Sequence, residues 1–252
     1  MARADRALDI VDVRPAFTQA DADALNARFA GVDAFAMLRT LFAEGLLGRT
    51  AVVSSFGTES AVLLDLVARA APHTPVVFVD TLKMFPETLD YRDALLDRLG
   101  MSDRRIIAPD PAALEAKDAT GLRWSYDPDG CCEIRKVEPL KRAKDGLDSW
   151  ISGRKAFQSQ TRQNLPRFEI EDGRLKVNPL GDWTKADLDA YFAERDLPRH
   201  PLEEQGYLSI GCQPCTSVVK PGEDPRAGRW RGWDKVECGI HVPEKPGEEP
   251  VF

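Results

Sequence analysis

The sequence predicts an α/β fold, a twisted parallel sheet with helices on both faces, from three observations. Short β-branched runs recur along the chain, helical apolar periods separate them, and the two alternate in order. The stretch "DADALNARFAGVDAFAMLRTLFAEG" spaces Leu25, Phe29, Phe35, Leu38 and Phe42 as helices do, with a break near Gly31, which gives two N-terminal helices. "TAVVSSF" is a first strand. Gly57 opens a tight loop, and "ESAVLLDLVARAA" puts Val62, Leu63, Leu66, Val67 and Ala70 on one helical face. "TPVVFVDT" (74–81) is a second strand, with a continuous apolar centre. "PETLDYRDALLDRLG" (86–100) is a helix with Pro86 in its first turn and Gly100 at its exit. "RRIIAPD" (104–110) and "SWISGRK" (149–155) are the third and fourth strands. "TKADLDAYFAERDL" (184–197) is a helix capped by Thr184 and closed by Pro198. Beyond Gly206 the chain turns to Gly, Pro, Trp and charge without a period, so a loop-like, mobile C-terminal tail is expected. No internal repeat or low-complexity tract is present.

The 252 residues allow one α/β domain or two small ones, and a hydrophobic fraction of 43% is ordinary for a globular chain. No apolar run approaches the ~20 residues of a membrane-spanning helix. The N-terminus "MARADRALDIVDVRP" contains acidic residues and lacks an apolar core, so no secretory signal is expected and a cytoplasmic protein is. A net charge of −7 argues against broad nucleic-acid binding. Two basic islands depart from that balance. Residues 131–144 carry Arg135, Lys136, Lys141, Arg142 and Lys144 against Glu133 and Glu138. Residues 226–235 carry Arg226, Arg229, Arg231 and Lys235 against Asp234. Beside cysteines, such islands suggest a small anionic ligand; solvated helix faces are the alternative.

"SSFGTES" (54–60) falls at the carboxyl end of a strand and the amino end of a helix, where open α/β sheets bind ligands. Ser54, Ser55, Thr58 and Ser60 add hydroxyl donors, and Gly57 permits close backbone approach to an anion. It is not a Walker loop, having neither lysine nor a following GK[ST]. Ordinary turn chemistry is the alternative reading.

Five cysteines are present: Cys131 and Cys132 adjacent, Cys212 and Cys215 in CxxC spacing, and Cys238 alone. An odd count in a reducing compartment favours metal binding or catalysis over disulfides. Neighbouring side chains diverge by about 100° on a helix, so both sulfurs of an adjacent pair reach one small ion only with strain. A cubane offers each thiolate a different iron. The spacing therefore fits a 4Fe-4S cluster better than a single zinc, with zinc and unligated cysteines remaining as alternatives. Cys238, in "KVECGIHVP", has no neighbour at ligand spacing. It is a candidate nucleophile, favoured as thiolate by Lys235 or a protonated His241 and opposed by Glu237; a spare surface thiol is the other reading.

Taken together, "SSFGTES", "DTLKMFPETLDY", "CCEIRKVEPL", "GCQPCT", "RAGRW" and "KVECGIH" resemble the assimilatory sulfonucleotide reductases, in their adenylyl-sulfate (APS) branch. The resemblance spans residues 54 to 241. It implies one reductase domain of the PP-loop nucleotide-binding type: N-terminal helices (1–50), a nucleotide-binding core (51–205), and a cluster loop with catalytic tail (206–252). It implies that Cys131, Cys132, Cys212 and Cys215 ligate a 4Fe-4S cluster and that Cys238 is the nucleophile. Lys136 would lie between cluster and substrate, and Arg162, Arg226, Arg229 and His241 would contact sulfate and phosphate. Ser54, Ser55, Thr58 and Ser60 would meet the nucleotide, with Phe56, Gly57, Asp80 and Arg154 completing the substrate site. The implied reaction takes APS to sulfite and AMP through an S-sulfocysteine, with thioredoxin or glutaredoxin as reductant. Neither nucleic acid nor membrane is an expected partner, and a homo-oligomer is compatible. Leu82 stands where the family often has glycine, "GRWRGW" replaces a more aromatic run, and the gap to Cys238 is short. The competing readings are a reductase of the 3′-phosphorylated substrate (PAPS) or of both, a tRNA-thiolating PP-loop ATPase carrying a cluster, and a non-catalytic zinc-stapled module.

Overall fold

A computed structural model of the chain describes residues 16–158, 165–235, 237 and 239–240. Helices α1 (Gln19–Arg28) and α2 (Ala34–Ala43) open the described chain. Thr18 and Asp21 form a reciprocal capping box on α1, and the Asp33 carboxylate accepts two backbone N–H groups at the start of α2. Strand β1 (Thr50–Val53), helix α3 (Ser60–Ala70), strand β2 (Val76–Val79), helix α4 (Pro86–Leu99) and strand β3 (Arg104–Ile107) follow as read from the sequence. Gly100, at φ 68°, gives α4 the left-handed exit that a side chain would resist.

After β3 comes helix α5 (Pro111–Asp118), capped by Asp110. One continuous helical stretch then runs as α6 (Pro128–Cys132), a π-helical turn (Glu133–Val137) and α7 (Glu138–Lys144). Pro139 explains the π turn. Its ring would clash with the carbonyl four residues back in a regular helix, and it has no N–H to give. The wider turn relieves this, and the Glu138 N–H bonds to the Glu133 carbonyl instead. Strand β4 (Ser149–Ser152), strands β5 (Phe168–Glu171) and β6 (Arg174–Val177), and helix α8 (Lys185–Glu194) complete the elements that position the site.

The strand order is β3-β2-β1-β4-β6-β5. Every pairing is parallel except β5 with β6. The expected parallel α/β sheet is present, with one antiparallel edge pair, β5 with β6, in addition. The reason is local: Asp172 (φ 53°) and Gly173 (φ 70°) form a two-residue turn whose twist suits an antiparallel hairpin. Both faces are covered. Val52, Val76, Phe78 and Ile151 point into the larger core with α1–α4 and α8, while the alternate residues Ala51 and Val77 pack with Leu140 of α7. Residues 206–235 contain no long element, as expected. They are nonetheless held to the core: Phe85, Leu202 and Ile210 form a buried cluster with Tyr207, and the Gln213 N–H bonds to the Lys83 carbonyl at 2.8 Å.

Candidate functional site: a cleft joined to a four-cysteine cavity

The chain runs outward from β1 through β2 to β3 and then returns to place β4 on the other side of β1. The sheet order therefore reverses at β1 and β4, with β1 followed by β2 on one side and β4 by β5 and β6 on the other, so a crevice opens at their carboxyl ends. A cleft of about 440 Å³ lies there, within the range of nucleotide-sized sites. Ser54, Ser55, Gly57, Thr58 and Ser60 line it from the first loop, and Ser152, Gly153 and Arg154 from the end of β4. Lys136, Arg226 and Arg229 reach it from elsewhere.

Two expected residues stand apart. Phe56 is fully buried, its ring edge-on to Phe78 at 5.5 Å, and it does not line the cleft. Its backbone is what shapes the loop: φ is 51°, and its N–H bonds to the Ser54 hydroxyl at 3.2 Å. Asp80 also does not line the cleft; its carboxylate accepts the Leu82 N–H at 2.9 Å. Leu82 itself has φ 58° and is 54% exposed, so the leucine occupies a left-handed backbone suited to glycine. Arg162, Cys238 and His241 lie outside the described residues. The neighbours Glu237 and Ile240 line the cleft, and the Glu237 carboxylate pairs with Arg226 at 3.4 Å.

The sequence reading overlooked one side of the cleft. Glu59, the N-cap residue of α3, accepts from Lys155 Nζ at 2.9 Å and Gln158 Nε2 at 2.8 Å, tying the first loop to the segment after β4. Lys155 and Glu59 are 96 positions apart in sequence, so no periodicity signals the pair. Their place follows from topology, since β1 and β4 are adjacent.

A second, smaller cavity adjoins the cleft. Cys131, Cys132, Cys212 and Cys215 all line it, with Lys83, Arg135, Lys136, Trp124, Pro128 and Trp230. The cysteine pairs come from distant segments. Asp127 caps α6 through the Gly130 N–H and so fixes the first pair. The second pair is clamped by a bridge between Met84 and Cys212 and by a Trp230 N–H bond to the Cys215 carbonyl at 3.1 Å. None of the four is in a disulfide. Burial and the nearby Cys212 push the Cys131 thiol up to about 11; burial, Cys212 and Cys132 do the same to Cys215. Cys212 behaves differently. Burial opposes its ionisation, but Lys136, the Thr81 hydroxyl 3.2 Å away and Arg229 outweigh that and hold it below the ordinary thiol value.

Much of the basic charge read as two islands is engaged in structure. Arg135 is buried against the fully buried Asp118 at 2.7 Å and donates to the Thr81 carbonyl. Lys144 pairs with Glu171, Arg231 with Glu223, and Lys235 with Asp129. Lys136, beside Arg135 in sequence, lines both cavities. Among the described residues, no three His, Cys, Asp or Glu side chains converge where a single metal ion would sit.

Comparison with known proteins gives these cavities a context. Residues 49–218 match the model of the phosphoadenosine phosphosulfate reductase domain. The chain is 50% identical over 196 residues to an adenosine 5'-phosphosulfate reductase of Chelativorans sp. (strain BNC1), covering 78% of this chain and 80% of that one. It is 50% identical over 192 residues to a protein of the same name from Mesorhizobium japonicum, covering 76% of each. Among solved structures, the phosphoadenylyl-sulfate (PAPS) reductase of Candida auris, in a phosphate complex, superposes with a TM-score of 0.67. It is 27% identical and covers 81% of this chain and 98% of that one. The match takes in β1 through the CxxC loop, and with it the cleft walls formed by residues 54–60 and 152–154 and all four cavity cysteines, while Arg226, Arg229, Glu237 and Ile240 lie beyond it; the chain belongs to the phosphoadenosine phosphosulfate reductase domain family.

Proposed function

We propose that the protein reduces adenosine 5'-phosphosulfate to sulfite and AMP. The observation that carries this reading is the junction of two cavities through one lysine: a nucleotide-sized cleft and a four-thiol cavity share Lys136. The relatives named adenosine 5'-phosphosulfate reductase support the choice of substrate.

The cysteine cavity fits a 4Fe-4S cluster by the chemistry of its donors. Its lining offers four sulfurs and neither histidine nor carboxylate, a set suited to iron–sulfur ligation. Lys83, Arg135 and Lys136 line the same cavity and suit a net-negative sulfur-rich group. Cys131, Cys132, Cys212 and Cys215 would hold it, one thiolate to each iron. When bound, the cluster supplies a rigid staple between α6 and the CxxC loop and a fixed charge beside Lys136.

The chain's own groups do the rest. The sulfonucleotide sits at the carboxyl ends of β1 and β4, with the serine hydroxyls and backbone N–H groups of residues 54–60 on its phosphate. Attack by a thiolate brings negative charge toward an anionic sulfonate, so cations must face the reacting sulfur. Lys136, Arg226 and Arg229 do so, with Arg154 at the cleft wall. Cys238 attacks sulfur, the bond from sulfur to the bridging oxygen breaks, and AMP leaves with that electron pair. The lining of the cleft by Glu237 and Ile240, on either side of Cys238 in sequence, supports this role. A thioredoxin- or glutaredoxin-type dithiol then attacks the Cys238 sulfur and expels sulfite. Its second thiol resolves the mixed disulfide, restoring Cys238 and leaving the reductant oxidised by two electrons. A cytoplasmic setting, in which free thiols persist, belongs to this proposal. Among the described residues no helix is long and apolar enough to cross a membrane.

The test is anaerobic purification with iron and sulfide counting, followed by sulfite release from APS and from PAPS with a dithiol. About four irons per chain and preferential turnover of APS are expected. Colourless, active protein would refute the cluster, and turnover of PAPS alone would refute the substrate.

A further inference from the structure

Gly211 immediately precedes Cys212, and its bare Cα faces the guanidinium of Arg229. A β-carbon at this position would lie 2.3 Å from one terminal nitrogen of Arg229, 2.5 Å from its central carbon and 2.8 Å from the other terminal nitrogen. Folded proteins do not sustain such approaches, so the guanidinium would have to move. Gly211 is not among the residues of positive φ, so its backbone would accept an alanine. The neighbouring arginine, rather than the turn, demands the glycine.

Arg229 is held where it is by its surroundings. Its Nη1 donates to the Ile210 carbonyl at 3.2 Å, and its guanidinium lies 4.4 Å from the centroid of the Trp230 ring. Its backbone bridges to Thr216, one residue past Cys215. From this position Arg229 lines the cleft, as Gly211 itself does. We propose that Gly211 is a positioning residue: the missing side chain at 211 seats the Arg229 guanidinium in the wall of the cleft. Because the clash involves the far end of a flexible side chain, a methyl group at 211 displaces the charge while leaving the fold intact. The inference rests on the reading that Arg229 faces the anionic end of a sulfonucleotide in the cleft.

Four anaerobically purified proteins test it: wild type, Gly211→Ala, Arg229→Ala and the double variant. The readouts are kcat and KM for APS, calorimetric affinity for ADP (its second phosphate standing in for sulfate), and thermal unfolding. Arg229→Ala is expected to lower kcat/KM on the order of 100-fold, with ADP affinity falling in parallel. Gly211→Ala should approach both losses with its midpoint nearly unchanged, and the double variant should be no worse than Arg229→Ala alone. Additive losses, or Gly211→Ala matching wild type while Arg229→Ala falls, would overturn the role of Gly211. An unaffected Arg229→Ala would instead overturn the reading of the cleft, and the inference with it. Should Gly211→Ala not fold, recovery of folding in the double variant supports the clash, and failure of both variants to fold refutes it.

Discussion

His200 is fully buried, and its two ring nitrogens have opposite duties. The Leu202 N–H donates to Nδ1 at 3.2 Å, so Nδ1 must be bare, and Nε2 carries the proton toward the Thr88 hydroxyl at 3.0 Å. A second proton would set N–H against N–H. Burial, opposed only in part by Glu87, accordingly lowers the ring to about 4 from its ordinary 6.5. A folded value below the unfolded one means that the unfolded chain binds the extra proton first. Stability from this group is thus complete above pH 6.5, falls as pH drops toward 4, and loses no more below that. A shift of this size is worth roughly 3 kcal/mol in full, of which about 2 kcal/mol is gone at pH 5. For a chain of this length that corresponds to a midpoint about 4–8 °C lower. The assay is thermal unfolding of wild type and His200→Gln at pH 8 and pH 5. Glutamine can present an acceptor and a donor without titrating, so carboxylate effects common to both proteins cancel. Wild type is expected to lose about 4–8 °C more than the variant. Equal losses would refute the reasoning.

Two further perturbations test parts of the structure around the cysteines. Asp118→Asn leaves the buried Arg135 charge without its counter-ion, and should cost roughly 3 kcal/mol or more, lowering the unfolding midpoint by about 10 °C; an unchanged midpoint would show that the pair contributes nothing. Leu82→Gly releases a left-handed leucine whose side chain is mostly exposed, so it should stabilise by about 1 kcal/mol at most and raise the midpoint by no more than about 4 °C. Leu82→Ala, which keeps the strain, should show no such gain in the same unfolding assay.

The legible parts of the fold were those whose residues carry their own local signal. β1, β2 and the helix between them are visible because β-branched runs and a 3.6-residue period do not depend on distant partners. The hairpin β5–β6 carried an equally local signal, "EIEDGRLKV", whose Asp-Gly turn went unread among charged residues. The stretch carrying Cys131 and Cys132 was hidden for another reason. Pro128, Gly130 and Pro139 all read as breakers, yet Pro128 fits a first turn, and the π turn accommodates Pro139. At the site, the serines and cysteines were legible by type and spacing. The Glu59–Lys155 pair and the contact of Gly211 with Arg229 were not, because both depend on how separate segments meet. Phe56 marks the converse case: its backbone angle, not its side chain, serves the loop.

The central claim is a division of labour in which Cys238 alone takes the sulfonate while the other four cysteines remain as ligands. Anaerobic incubation with APS in the absence of any dithiol, followed by peptide mass spectrometry, tests it directly. One SO₃ group on the Cys238 peptide, with none on peptides holding Cys131, Cys132, Cys212 or Cys215, is the predicted result. Modification at any of those four, or an unmodified Cys238 in protein that still releases AMP, would contradict it.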